Sequence, residues 1–195
     1  AGTASHVQAA QRPALLARLL TLAQTDAARL GIGLIAVKDV PSHDADWAHS
    51  CKAANFQAMP GLPSATLPVP FGSVDGYLGS LGKSTRKDMR RKLRTPGPRV
   101  EWRNAIDDVL PEIMRLYEAS LARSDLQLER LPATYFTGIL QQLGDRAVCV
   151  LYWLDDQLVA FNLVLIDEHR LIDKFFGHDL ELTRDYNLYF RSWLV

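Results

Sequence analysis

Over residues 13–30 the apolar side chains Leu15, Leu16, Leu19, Leu20, Leu22, Ala23, Ala27 and Leu30 return at helical spacing, and Gly31 follows as a stop. This pattern predicts an amphipathic helix. The run Ile32-Gly33-Leu34-Ile35-Ala36-Val37 is short, apolar and bounded by Asp39-Val40-Pro41, which predicts a strand buried on both faces. A second helix is expected over 44–54, capped at Ser42 or Asp44, and a second strand over 64–69, cut off by Pro70. Helix, strand, helix, strand is the order of an α/β sheet rather than a bundle.

Further along, Ser73 is placed to cap a short helix through Leu81, and Thr85 to cap another, with Asp88 completing a shortened capping box. Thr95-Pro96-Gly97-Pro98 ends that helix and is the strongest breaker cluster, hence the candidate boundary. Beyond it the pattern predicts a brief strand over 100–102. A helix over 106–122 should carry Val109, Ile113, Leu116, Tyr117 and Leu121 on one face, and a helix over 132–143 should hold Pro132 in its first turn. Two apolar, β-branched and aromatic runs, 147–154 and 158–166, flank Asp155-Asp156-Gln157 and predict a β-hairpin. A third strand over 170–176 should end at Gly177. Asp185 should then cap a last helix carrying Tyr186, Leu188, Tyr189, Phe190 and Trp193. That helix is still apolar at Val195, so more sequence is expected beyond it, and this chain alone is expected to self-associate, for instance as a homodimer, or to be poorly stable.

Composition adds limits. An apolar share of 48% over 195 residues is ample for a core, and 22 basic against 22 acidic residues give no global field that favours nucleic acid or an acidic membrane. Cys51 and Cys149 lack the paired spacing of a zinc site and are expected to be buried thiols in a reducing compartment. No apolar run approaches the roughly 20 residues that span a bilayer, and the first residues lack a basic flank and apolar core, so a cytoplasmic location is expected. The five histidines are scattered, with only His43 and His49 near each other, so neither a metal site nor a nucleophilic triad is expected.

Local charge is a different matter. Lys83, Arg86, Lys87, Arg90, Arg91, Lys92 and Arg94 crowd into twelve residues against the single acid Asp88, while Met89 and Leu93 form the apolar stripe of the same helix. Arg86, Lys87, Arg90, Arg91 and Arg94 are therefore candidates to bind an anion: the phosphates of coenzyme A, an RNA such as tRNA, or a polyanionic lipid-linked sugar. A plain solvated face is the competing account.

The basic run within 77–94, the stretch Asp173-Lys174-Phe175-Phe176-Gly177 and the following Arg184-Asp185-Tyr186-Asn187 resemble bacterial FemAB-like acyltransferases of the GNAT superfamily, including those labelled as cellulose-biosynthesis acyltransferases. The order over 100–195, two helices, an antiparallel meander and a helix after the last strand, is similar to the opening half of a GNAT domain. The resemblance implies an α/β (α+β) fold with a mixed, mainly antiparallel sheet flanked by helices. It further implies parts of two tandem units: 1–72 closing the first, 73–99 a basic helical connector, 100–195 opening the second. The implied activity moves an acetyl or aminoacyl group to an amine or hydroxyl on a small molecule or cell-envelope precursor.

By the same resemblance, the pyrophosphate of acetyl-CoA would sit on backbone N–H groups within 177–186, with Gly177, Thr183 and Arg184 as its binding residues. Asp179, Glu181 and Asp185 in that stretch repel a phosphate, which admits another donor, such as aminoacyl-tRNA. Candidates for acid–base work are His178, Asp173, Lys174 and Tyr186. Strand alternation is expected to send Asp173 and Lys174 to opposite sides. The rival account is a non-catalytic polyanion-binding or assembly module built on the helix over 83–94.

Overall fold

A computed structural model describes residues 7–38, 40–61, 65–125, 127 and 129–194. The chain separates into two compact units, Ala1–Pro68 and Val69–Val195.

In the first unit a 3-10 turn, Ala9–Gln11, leads into helix α1, Arg12–Arg29, with proline in its first turn. Gly31 stops it at φ 69°, and the Ile32 N–H returns to the Ala27 carbonyl at 2.8 Å. Helix α2, Ala45–Ala53, is capped by Asp44, whose carboxylate accepts from the Trp47 N–H at 3.2 Å. Arg12 reaches back from α1 to Asp44 and Asp46. Leu16 and Leu20, four apart on one face of α1, bury against Trp47.

Neither expected strand forms here. Residues 32–37 are irregular, as are 65–69, and position 64 lies outside the described residues. An apolar run becomes a strand only when a ladder takes up its backbone, and no such partner exists among the described residues of this unit; Leu34 is 83% exposed. Leu20→Ala is expected to cost about 2–5 kcal/mol of this unit's stability, read as faster hydrogen exchange along α1 and α2.

The second unit opens with helices α3, Val74–Ser80, and α4, Lys83–Lys92. Ser73 caps α3 through the Gly76 N–H at 3.1 Å. Helix α4 has its N-cap at Gly82, three residues before Thr85, with no side-chain cap, because the Arg86 N–H already closes the first turn on the Gly82 carbonyl. Strand β1, Arg99–Arg103, follows, then a 3-10 turn, Asp107–Val109, and helix α5, Leu110–Ala122. Helix α6, Ala133–Leu143, takes Pro132 as its N-cap residue rather than in its first turn. Strands β2, Ala147–Leu154, β3, Gln157–Ile166, and β4, Leu171–His178, come next, then the short helices α7, Leu180–Arg184, and α8, Leu188–Arg191.

The sheet runs β1-β2-β3-β4, every pair antiparallel. Gly177 lies inside β4 instead of ending it, and the expected last helix is split. Asp179 caps α7, Asp185 falls at its C-terminal end, and Asn187 at φ 52° breaks the chain before α8. Ile113, Leu116 and Tyr117 of α5 and Phe136 and Leu140 of α6 pack on Cys149, Leu151, Phe161 and Leu163, forming the larger core on one face of the sheet. The opposite face carries Val150, Tyr152, Val159 and Ala160 under Leu188 of α8.

One arginine ties the ends of this unit together. Arg191 donates from Nη2 to the carbonyls of Lys92, at 3.1 Å, and Thr95, and from Nε to that of Tyr186 at 2.8 Å. Lys92 also lies 3.5 Å over the Phe190 ring. Thr95-Pro96-Gly97-Pro98 is thus inside the second unit, and a Cβ on Gly97 would stand 2.8 Å from Arg191 Nη1.

Candidate active site

The ladder between β3 and β4 is regular from Ala160↔His178 to Leu163↔Phe175 and then jumps to Val164↔Asp173. Lys174 is the extra residue of a β-bulge. Paired residues of an antiparallel ladder share a face, so this bulge moves Asp173 off the face of Phe175 and onto the face of Asn162 and Phe176. Simple alternation left open which of the two residues takes which face. Lys174 Nζ instead approaches the ring of Phe175, 5.4 Å from its centre.

On the shared face, Asn162 Nδ2 lies 2.9 Å from each oxygen of the Asp173 carboxylate. Asn162 is 4% exposed, and its Oδ1 is buried without a partner. Asp173 keeps much of its surface exposed, yet desolvation against the sheet pushes its carboxyl above its ordinary pKa, and the Asn162 hydrogen bond offsets part of that rise. Tyr152, buried on the adjacent strand, has its hydroxyl pushed upward by burial and then by the charges of Asp173 and Cys149. Burial likewise pushes the Cys149 thiol up to about 12, which makes it an inert core thiol, whereas Cys51 is only half-buried.

His178 stands at the end of β4, its ring stacked on Phe176 at 4.8 Å. Its N–H donates to Ser120 Oγ at 3.2 Å, and Arg123 donates to its carbonyl at 3.0 Å, so α5 occupies the outer edge of β4 at this residue. Burial lowers the imidazole pKa, the positive charge of Arg123 adds to this and Asp179 opposes it; Nδ1 is buried with no partner. The neutral ring is the favoured form. Gly177 has a packing reason to be glycine, since a Cβ there would meet Phe161 Cε1 at 2.3 Å.

At the start of α7, Asp179 accepts from the N–H groups of Glu181 and Leu182 at 3.1 and 3.2 Å, and Arg115 stands 3.6 Å from its other oxygen. The donors that a pyrophosphate would use are thus taken by the chain's own carboxylate, with Glu181 adding a second negative charge. This helix start does not fit a bound pyrophosphate. Thr183 is buried with its hydroxyl bonded to the Asp179 carbonyl, Arg184 is exposed, and Tyr186 is half-buried with its carbonyl held by Arg191. Asp173 therefore meets Asn162, and His178 meets Phe176 four β3 positions away along the ladder, whereas Thr183, Arg184 and Tyr186 stay with the α7–α8 segment.

The cations of α4 divide into two sets. Arg86 donates to the Gly79 carbonyl, and Arg91 and Lys92 pair with Asp88 at 2.6 and 2.9 Å. Lys83, Lys87, Arg90 and Arg94 are exposed and have no partner among the described residues. An open hollow of about 340 Å³, bordered by Val109, Glu112, Arg115, Trp153, Asp156 and Gln157, lies on the α5 side of the sheet and includes none of the expected site residues. Among the described residues no cluster of His, Cys, Asp and Glu fits a metal ion, and no helix is long and apolar enough to cross a membrane.

Asn162, Tyr152, Ser120 and Arg123 were not singled out from the sequence. Asn162 did leave a signal, as the one polar residue within the apolar run 158–166. A family model described as acetyltransferase (GNAT) domain matches residues 83–190, more than half of the chain, from α4 through most of α8. Comparison with curated proteins gives no match.

Proposed function

The chain belongs to the GNAT acetyltransferase family and is accordingly an acyltransferase, and we propose that Asp173 takes the proton from an amine or hydroxyl acceptor as that acceptor attacks the acyl carbon. The observation that carries this reading is the bulge at Lys174, which sets a carboxylate of raised pKa beside Asn162 on an edge strand. A carboxylate raised towards neutrality is the better proton acceptor, because basicity follows pKa while enough of the group stays ionised. Activity should therefore rise with pH through the Asp173 titration. Further along the same face of the sheet, the His178 ring stacks on Phe176.

The FemAB-like branch is the finer assignment we favour, on the basic run of α4 and the stretch 173–187. For the donor, acetyl-CoA is the family's usual choice, and an aminoacyl ester is the alternative that the closed start of α7 supports. In either case the donor's phosphates are expected to meet the unpaired Lys83, Lys87, Arg90 and Arg94 of α4, which Arg191 holds against the segment after β4. Exposed ion pairs are individually weak, so binding there should depend strongly on salt.

The test is an acyl-transfer assay with acetyl-CoA against panels of small amines and alcohols, following thiol release. Arg90→Ala with Arg94→Ala is expected to raise KM for the donor severalfold at low salt, with kcat nearly unchanged and a flatter salt dependence. Tight polyanion binding without turnover on any acceptor would favour the non-catalytic module instead.

A further inference from the structure

Asn162 is an expensive side chain for its position. Its ladder partners are Val150 on β2 and Phe176 on β4, and it is 4% exposed with a buried Oδ1 that bonds to nothing. Leucine, of nearly the same shape, would bury no orphan oxygen there and would match the apolar run on either side. What the amide supplies that leucine does not is Nδ2, equidistant at 2.9 Å from the two oxygens of Asp173. An amide N–H₂ has no acceptor capacity, so this contact fixes which way the amide points.

We propose that Asn162 is the positioning residue of the reaction centre: it holds the Asp173 carboxylate on the face to which the bulge at Lys174 turns it and favours its ionised form. The proposal rests on the acyl-transfer reading given above. The groups facing Asp173 make the role specific. Tyr152 on β2 is a buried phenol whose ionised form is disfavoured, Asn162 on β3 is the one hydrogen-bond donor on the carboxylate among the described residues, and Lys174, next on β4, leans over Phe175. No cation pairs with Asp173 among the described residues, so the carboxylate depends on one amide for its charged state.

The experiment compares the chain with Asn162→Leu and Asn162→Asp. In Asn162→Leu the carbon-detected NMR titration of the Asp173 carboxyl should move to higher pH, with a melting temperature no lower than that of the unaltered chain. Asn162→Asp puts a second carboxyl beside the first and should move the titration upward again. If the chain transfers acyl groups, the ascending limb of its pH–rate profile should shift upward with the titration. For Asn162→Leu, kcat/KM should fall about tenfold below that limb and recover above it. An unchanged Asp173 titration in Asn162→Leu would overturn the proposal, most clearly with a lowered melting temperature, the mark of a purely structural amide. Because the NMR titration needs no turnover, a chain that acylates nothing refutes the acyl-transfer reading while the positioning role is still judged on its own.

Discussion

Replacing Asp173 by asparagine is expected to lower kcat/KM for acyl transfer by about 10²- to 10⁴-fold, the usual worth of a positioned general base. Shape is nearly preserved, and the new amide oxygen can still accept from Asn162 Nδ2, so the loss measures the missing proton acceptor rather than a collapsed site. Stability should respond in the other direction. The carboxyl's folded pKa is raised, so its contribution is present below the unfolded carboxylate value and is lost as pH rises through the folded one. At neutral pH the chain is holding a carboxylate that its surroundings disfavour. Asp173→Asn should therefore melt no lower than the unaltered chain at pH 7, and its advantage should shrink in acid. Calorimetry across that range, beside the activity assay, checks both halves. A variant that loses stability and activity together would mean that Asp173 is a structural group.

Gly177→Ala should be the more damaging change to the fold. A Cβ at this position would lie 2.3 Å from Phe161 Cε1, 3.0 Å from Cδ1 and 3.1 Å from Cζ. Relief requires Phe161 to move, yet that ring is fully buried and edge-on to Phe136 at 6.0 Å, which in turn meets Tyr117 at 5.1 Å. Overpacking of this kind costs about 1–3 kcal/mol and sometimes more, and here the aromatic cluster transmits the displacement to α5 and α6. Urea denaturation should show the loss. Adding Phe161→Leu, which removes the colliding atoms, should recover part of it, so that the pair is less destabilised than the sum of the two single changes.

The elements most legible in the sequence were those with a complete local signal. Leu16 and Leu20 on α1, the cap at Asp44, the cap at Ser73 and the acidic turn between β2 and β3 each carry their own instructions within a few residues. Failure followed wherever a distant partner decided the outcome. The run 32–37 has the composition of a strand, but pairing is supplied from elsewhere in a chain and is missing among the described residues. For the candidate site, Asp173 and His178 were visible as residues, while their setting was not. A single bulged residue, with no mark of its own in the sequence, decided which face Asp173 shares. At the expected phosphate cradle after β4 the deciding group was likewise out of view: Asp179, six residues before the Asp185 that was assigned the capping role, accepts from the first N–H groups of α7.

The guanidinium clasp at Arg191 has a consequence for how the chain is made. Its partners on Lys92 and Thr95 lie 99 and 96 residues earlier, so the exit of α4 from the ribosome precedes that of its fastener by most of the second unit. Until then the basic helix has only short-range contacts to hold it, and its cations are free to engage nearby polyanions during synthesis. Closure of so long a loop is slow compared with helix formation, which makes the seating of α4 a late event of maturation. A chaperone that shields positive charge would therefore have its chance at α4 long after that helix had been translated.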